Sequence, residues 1–265
     1  MKYLNVKNRA ILREMVVTDF KVRYQGSVLG YVWSLLKPLL LFAVLYILFT
    51  YIAPIGKGVP HYGVELLVGI VLWNFFSETT MVGASSVVAN GELIRKISIP
   101  RYLVVIASSV SALINLSLSF IIIVIFAFAN GVTFSASWLL LPLIVIELFV
   151  FSVGIAFILA TAYVKYRDVT YIWEVVLQAG FYASAVIVPM SVVPKQLHDW
   201  FFMNPLVQMI QDARNLLVPS ANNITIWNTV DKIPFKLVPF LLIALLCIIG
   251  FIYFKRQSKY FAEDI

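Results

Sequence analysis

The chain has 265 residues, of which 62% are hydrophobic and 12% are charged, and its mean hydropathy is +0.94. Soluble domains are about 45–50% apolar and about 25% charged, and a chain of this size cannot bury so much apolar surface by folding alone. The composition therefore excludes an ordinary soluble enzyme and predicts a membrane protein. The single cysteine and the two histidines exclude an intrachain disulfide and disfavour a His/Cys metal site.

Residues 1–27 are predicted to form a cytoplasmic amphipathic helix at the membrane interface. Apolar residues recur at helical spacing within residues 5–24, and charged residues flank them. The apolar members are Ile11, Leu12, Met15 and Val16, and the charged ones are Arg9, Arg13 and Glu14. The apolar stripe weakens at Asp19, where we expect the helix to end or turn. A solvated cytoplasmic tail is the alternative interpretation.

Uncharged runs define six predicted spans, because a helix needs about 20 apolar residues to cross about 30 Å of hydrocarbon. The uncharged stretch between Arg101 and Glu147 is too long for one span, and Asn130-Gly131 divides it. The predicted spans cover residues 28–52, 66–88, 102–129, 138–163, 172–188 and 237–254. The expected fold class is an all-α membrane protein, with a six-span domain over residues 28–254 and a cytoplasmic tail over residues 255–265.

The segment 189–234, between the fifth and sixth predicted spans, does not fit a simple helical hairpin. It holds short apolar pieces on either side of Asn204-Pro205, and these pieces are too short to cross a bilayer. Short helices survive at membrane depth when they pack against protein or line a cavity. We therefore expect re-entrant or interfacial helices here, followed by an external loop.

Lys and Arg residues are distributed unevenly between the two sides of the predicted membrane. The side that holds both termini carries 15 of the 20, and the opposite side carries 5. Cytoplasmic loops are enriched in Lys and Arg, so both termini are expected in the cytoplasm. The net charge of +7 then reflects topology and contact with anionic lipid, and it is not evidence for nucleic acid binding.

Motifs for covalent catalysis or nucleotide hydrolysis are absent from the sequence. We expect no catalytic residue, no metal site and no cofactor bound by this chain. Glu78 and Glu147 lie within or near predicted spans, where carboxylates are costly and often functional. Pairing with Ser, Thr or Asn of a neighbouring helix, or a position at a helix end, is favoured over proton coupling for these two residues.

Several strings, in order along the chain, match one known pattern. They lie at residues 19–33 and 35–39, 92–101, 166–169, 204–205 and 214–217. Together they resemble the permeases of type-2 ABC exporters for polysaccharides such as O-antigen, teichoic acid and capsule. The first two strings are similar to the family's segment that leads into span one, residues 92–101 to its first cytoplasmic loop and residues 166–169 to its second. Asn204-Pro205 and residues 214–217 resemble its re-entrant segment.

The resemblance implies a homodimer that works with two separate ATPase subunits, which would hold ATP and Mg. It also implies an exporter of a lipid-linked polysaccharide in the cytoplasmic (inner) membrane. The implied ATPase-coupling residues are Glu92, Arg95, Lys96, Pro100, Arg101, Arg167 and Asp168. The residues that lead into span one are Asp19, Arg23, Gly30, Trp33 and Pro38, and those of the outer gate are Asn204, Pro205 and Arg214. Positive-inside anchoring is the alternative role for Arg95, Lys96 and Arg101.

Aromatic residues make up 15% of the chain, and some lie deep in the predicted spans. Ring faces offer apolar platforms to sugar C–H groups without binding one particular hydroxyl, which suits a sliding polymer. The candidates for the substrate path are Tyr46, Trp73, Phe76, Phe181 and Tyr182. Lipid contact or helix packing is the alternative role for each of them.

The sequence departs from the family at the end of the fifth predicted span. The family often has a Pro and a Tyr where this chain has Ala185 and Val188. Losing the Pro removes an expected kink, so the sequence does not predict the geometry of the gate. A permease for drugs or small lipids and a proton-coupled secondary carrier are the alternative functions, and a scaffold in a membrane complex is a third.

Overall fold

A computed structural model describes residues 6–24, 30, 32–53, 55–56, 58–96, 99–219, 223–230 and 233–261. The expected start of the first span, residues 28–31 apart from Gly30, lies outside the described residues. The side chain of Arg23 and the last four residues of the expected cytoplasmic tail lie outside them as well.

All regular structure in the described residues is helical. The N-terminal half contains α1 (Val6–Tyr24), α2 (Val32–Ile47), α3 (Tyr62–Ala89), α4 (Gly91–Lys96) and α5 (Tyr102–Ala129). The C-terminal half contains α6 (Leu141–Lys165), α7 (Val169–Ala183), α8 (His198–Phe202), α9 (Pro205–Leu217), α10 (Ile226–Thr229) and α11 (Ile233–Gln257). A π-helical turn, Leu48–Ile52, extends α2, and a 3₁₀ turn, Ala136–Leu140, precedes α6.

Five helical segments are long and apolar enough to cross a membrane in the described part of the chain. They are Val32–Ile52, Tyr62–Ala89, Tyr102–Ala129, Ala136–Lys165 and Ile233–Gln257. The sequence predicts a sixth span over residues 172–188, where the structure has α7, a helix of 15 residues. A helix of that length extends about 22 Å, which is short of about 30 Å of hydrocarbon.

The division between α5 and α6 follows the sequence prediction. Gly131 has a positive φ of 78°, and the amide of Val132 donates a hydrogen bond to the carbonyl of Ala127 at 3.0 Å. This pattern ends a helix by capping its last carbonyls, and glycine adopts the required backbone conformation without strain. The polar pair Asn130-Gly131 thus separates two long apolar helices.

α3 is the central helix of the bundle, and α5 and α6 pack along it. Of its most apolar 18-residue stretch, 72% is buried, compared with 11% for the corresponding stretch of α2. α6 also packs tightly against α11, where Gly154 and Gly250 face one another. Small residues at such crossings let two backbones approach closely, as is common between membrane helices.

α1 lies along α5, and its Ile11 and Met15 pack on a cluster that includes Ile94 of α4 and Phe254 of α11. The expected end or turn at Asp19 is not observed, because α1 continues as one helix to Tyr24. We call the end of the bundle that carries this cluster the α4 end. The other end, which carries the 53–61 connection and α9, is the α9 end.

Candidate transport site

A cleft of about 830 Å³ opens between α2, α3, α5 and α7. It brings together three of the five aromatic residues predicted for a substrate path: Trp73, Phe181 and Tyr182. Trp33, predicted in the segment that leads into span one, lines the same cleft. The polar lining residues are Ser34, Lys37, Asn74, Ser77, Glu78, Asn115, Glu174 and Gln178.

The aromatic wall of the cleft is a chain of ring contacts between α3 and α7. The ring centroids of Trp73 and Phe181 are 5.9 Å apart, and those of Phe181 and Tyr182 are 5.4 Å apart, both in edge-to-face geometry. Gly180 leaves room for the indole, since a Cβ atom there would lie 2.8 Å from Cη2 of Trp73. The position of Trp73 in the wall therefore depends on the absence of a side chain at residue 180.

Phe76 and Tyr46 are not among the residues that line the cleft. Phe76 is buried and stacks on Phe151 of α6, with ring centroids 5.5 Å apart. Tyr46 packs against Phe42 of the same helix, and it lines a separate cavity at the α9 end together with His61. Phe76 thus supports the wall from behind, whereas Tyr46 lies at a different level of the bundle.

The polar wall is built around a hydrogen bond between α3 and α5. Asn115 donates from Nδ2 to Oε1 of Glu78 at 3.0 Å. Asn115 is buried, and its Oδ1 atom has no hydrogen-bond partner among the described residues. The interhelical pairing favoured for Glu78 over proton coupling is therefore what the structure contains.

α7 is tied to α3 by an aromatic side chain on the α4 side of the cleft. The indole Nε1 of Trp173 donates a hydrogen bond to Oγ1 of Thr80 at 2.9 Å. The same ring meets Phe76 edge to face, with centroids 6.3 Å apart. These contacts orient α7 so that the face carrying Phe181 is turned toward α3.

The outer-gate residues predicted from the sequence all lie at or on α9. Asn204 is the N-cap, since its Oδ1 accepts a hydrogen bond from the amide of Leu206 at 3.0 Å. Pro205 occupies the first helical position, where its missing N–H leaves no partner unsatisfied. Asn204 also donates from Nδ2 to Oγ of Ser184 at 3.1 Å, which links the start of α9 to the end of α7.

Arg214 joins α9 to two other elements through three backbone carbonyls. Its Nε donates to Glu65 of α3 at 3.0 Å, its Nη1 to Ala185 at 3.0 Å and its Nη2 to Val186 at 2.6 Å. The side chain is buried. Gly69 permits this approach, because a Cβ atom there would lie 2.8 Å from Nη2 of Arg214 and 2.9 Å from the Val186 carbonyl.

These bonds satisfy the irregular backbone that follows α7. Ala185 adopts a left-handed conformation with φ of 51°, which breaks the helix at the position where the sequence departs from the family. The next carbonyl along, that of Ile187, accepts a hydrogen bond from Oη of Tyr62 at 3.0 Å. Non-helical backbone is tolerated at membrane depth when protein groups replace the missing helical hydrogen bonds, and Arg214 and Tyr62 do so here.

Glu147, the second carboxylate noted in the sequence, lies on α6 beside Gln208 of α9. Gln208 is buried and donates from Nε2 to Oδ2 of Asp212 at 2.8 Å. Glu147 is thus part of a polar contact between α6 and α9 at the α9 end. It lies on a different helix from the Glu78–Asn115 pair.

The predicted coupling residues are grouped at the α4 end. In α4, Ile94 is buried in the core cluster, whereas Glu92, Arg95 and Lys96 are exposed. Nζ of Lys96 lies 3.1 Å from Oε2 of Glu92, and these side chains are 74% and 88% exposed. Arg167 and Asp168 are exposed at the same end, and the guanidinium of Arg167 lies 5.3 Å from the ring centroid of Tyr163.

Pro100 and Arg101 lie immediately before α5, and the carbonyl of Pro100 accepts a hydrogen bond from the amide of Leu103 at 2.9 Å. Of the other residues near span one, Gly30 has a positive φ of 45° and Pro38 is buried inside α2. Asp19 lies on α1. Among the described side chains of this group, Trp33 alone lines the cleft, so these side chains do not form one site.

A bundle of membrane-length helices with a polar and aromatic cleft defines a multi-pass transport protein. Residues 12–218 match the family model described as ABC-2 type transporter, and the chain belongs to this family. This confirms the resemblance found in the sequence. Proteins of this family are permease subunits of ABC transporters, which work with ATPase subunits.

Several curated proteins are similar to this chain over most of their length. The chain is 27% identical over 248 residues to an O-antigen export system permease protein RfbA of Klebsiella pneumoniae, covering 92% of this chain and 91% of the relative. It is 28% identical to the protein of the same name from Myxococcus xanthus, over 76% of this chain and 78% of the relative. Polysialic acid transport protein KpsM of Escherichia coli is 21% identical, over 80% of this chain and 82% of the relative.

Sequence reasoning did not identify the partners of three side chains at the site: Asn115 for Glu78, Thr80 for Trp173, and the carbonyls of residues 65, 185 and 186 for Arg214. Asn115 was open to detection, because it is an amide within an uncharged apolar helix and polar groups in such helices usually have a partner. The acceptors of Arg214 carry no such signal, since every residue has a carbonyl group.

Proposed function

We propose that this chain is the permease subunit of an ATP-driven exporter that moves a lipid-linked polysaccharide across the cytoplasmic membrane. The observation that carries the proposal is the cleft of about 830 Å³, whose walls combine aromatic rings with hydrogen-bonding groups. Rings accept sugar C–H faces and polar groups accept hydroxyls, so this lining suits a glycan. The similarity to O-antigen export permeases and to KpsM supports the same substrate class.

The proposed topology has six crossings with both termini in the cytoplasm. α7 and the irregular residues after it would together make the fifth crossing. The hydrogen bonds from Arg214 and Tyr62 to residues 185–187 support this, because they supply the partners that this backbone needs inside a membrane. α8 and α9 are then re-entrant, at the outer side, and the α4 end faces the cytoplasm with its exposed Arg and Lys residues.

Two copies of this chain and two ATPase subunits would form the working transporter. The cleft is open along α2 and α7, where Trp33 and Tyr182 are 48% and 72% exposed, so a second copy can complete the path. The exposed charges of α4 would bind the ATPase, which holds ATP and Mg. Ile94 anchors α4 to the helical core, so a displacement of α4 would be transmitted to α3 and α5.

Reconstitution into vesicles tests the proposal. The chain is inserted with its ATPase partner, a polyprenyl-linked polysaccharide is supplied on the ATP side, and the glycan that reaches the opposite side is measured by its accessibility to a glycosidase. We expect ATP-dependent appearance of glycan. Transport that continues without any ATPase subunit would overturn the proposal and favour a secondary carrier.

A further inference from the structure

The described lining of the cleft has a charge balance opposite to that of the whole chain. The chain has a formal net charge of +7. The described residues that line the cleft include one cation, Lys37, and two carboxylates, Glu78 and Glu174. Positive charge is therefore abundant at the α4 end, but it is not concentrated among the described residues of the cleft lining.

Glu78 is held in a defined position. The hydrogen bond from Asn115 fixes one carboxylate oxygen at 3.0 Å, and Asn115 is itself buried, with an Oδ1 atom that has no partner in the described residues. A carboxylate accepts hydrogen bonds, and sugar hydroxyls donate them. Glu78 thus offers a positioned acceptor to the cleft that Trp73 also lines.

Glu174 adds a second negative charge on the opposite wall. It lies on α7, exposed, one turn before Gln178, which also lines the cleft. A polymer that passes between α3 and α7 therefore meets a carboxylate on each side. An anionic group on that polymer would be repelled by both, and more strongly by the partly buried Glu78 than by the exposed Glu174.

We propose that the cleft is selective for neutral, hydroxyl-rich glycans and discriminates against polyanionic glycans, and that Glu78 and Glu174 set this selectivity. The inference rests on the proposed function and names the substrate class within it. Neutral sugars donate hydroxyl hydrogen bonds to Glu78 and pass their C–H faces over Trp73 and Phe181. Polyanionic chains lose these donors where carboxylates replace hydroxyls, and they meet repulsion as well, so the site uses both attraction and rejection.

The experiment compares two polymers of equal length on the same polyprenyl carrier, one a neutral hexose chain and the other a hexuronic acid chain. Both are supplied to the reconstituted complex with its ATPase partner, and the ratio of their initial transport rates is measured. We expect the wild type to favour the neutral chain by about tenfold or more, the scale of a like-charge repulsion across about 12 Å at an effective dielectric of about 20.

The E78Q/E174Q double variant should lower that ratio by about tenfold, chiefly through faster transport of the hexuronic chain. Glutamine keeps the volume of glutamate and an oxygen that accepts from Asn115, so the fold is retained. K37Q removes the cation of the lining and should raise the ratio. D199N removes an exposed carboxylate at the α9 end, distant from the cleft lining, and should leave the ratio unchanged.

The outcomes separate the two claims. A wild-type complex that moves neither polymer overturns the proposed function. A wild-type complex that moves both polymers at equal rates, or prefers the hexuronic chain, is consistent with the proposed function but overturns the charge selectivity. A ratio that is unaffected in E78Q/E174Q removes these two carboxylates as its cause.

Discussion

Nη2 of Arg214 lies 2.6 Å from the carbonyl oxygen of Val186. The two residues belong to α9 and to the irregular segment after α7, and the bond holds together elements that the chain connects only through a long loop. Hydrogen bonds that involve a charged donor are about twice as strong as neutral ones. Arg214 makes three bonds of this kind, so we expect it to be the main contact that fixes α9 in the bundle.

Replacing Arg214 with methionine should destabilise the protein more than any exposed substitution. The carbonyls of Ala185 and Val186 lose their donors, whereas that of Glu65 keeps its helical partner within α3. Each unsatisfied acceptor costs about 1–3 kcal/mol, so we expect a loss of about 2 kcal/mol or more. The measurement is the thermal unfolding midpoint in detergent. R256M, at an exposed arginine near the end of α11, is the matched control, and an R214M midpoint equal to that of R256M would contradict the assigned role.

Alanine at Gly250 should disrupt the contact between α6 and α11. Its Cβ would overlap the carbonyl oxygen of Gly154, so the two helices must separate, and overpacking of this kind costs about 1–3 kcal/mol. I248A, on the exposed face of the same helix, is the control. We expect a lower unfolding midpoint for G250A alone, and equal midpoints would show that this crossing tolerates a side chain.

Reversing the charge of Arg95, Lys96 and Arg101 should abolish export while the chain remains inserted in the membrane. The Lys96–Glu92 ion pair is highly exposed, and such pairs contribute little to stability, so the effect would come from lost ATPase binding. Co-purification with the ATPase subunit measures this directly.

A charge swap, E92K/K96E, separates the local ion pair from docking. It keeps an oppositely charged pair within α4 but reverses the two positions that a partner would meet. We expect normal insertion with weakened ATPase binding. ATPase binding and export at wild-type levels in both the swap and the triple reversal would contradict the hypothesis that these charges bind the ATPase.

Alanine at Trp73 or Tyr182 should slow transport, because both side chains line the cleft. Phe76 is buried against Phe151, so F76A should chiefly lower the unfolding midpoint. Transport rates per inserted molecule and unfolding midpoints are measured on the same preparations. Unchanged rates in W73A and Y182A would remove these aromatic side chains from the path.

Local patterns in the sequence account for much of the helical layout. The span predicted over residues 102–129 coincides with α5, because Pro100 and Asn130-Gly131 mark both of its ends by local backbone chemistry. α7 ends five residues before the predicted limit of its span. The apolar run continues past the break at Ala185, and hydropathy does not register a left-handed residue inside an apolar stretch.

The contacts of the site are harder to predict from the sequence than the helices, because they join residues that are far apart along the chain. Glu78 and Asn115 lie 37 positions apart, and nothing local indicates that they meet. Arg214 illustrates the same limit, because the sequence places it among the outer-gate residues but does not show that its side chain is buried and bonded to backbone carbonyls. A count of charges depends only on residue type, whereas the groups that surround a residue are known only from the fold.

α3 carries residues of both the Arg214 contact and the cleft on one uninterrupted helix. Glu65 and Gly69 meet Arg214 near its first turns, Trp73 and Glu78 face the cleft at its middle, and its C-terminal end leads directly into α4. Its 28 residues make a rod about 42 Å long. Tilting such a rod by roughly 10° about one end displaces the other by about 7 Å, so a small rotation at the α4 end is enough to reshape the α9 end.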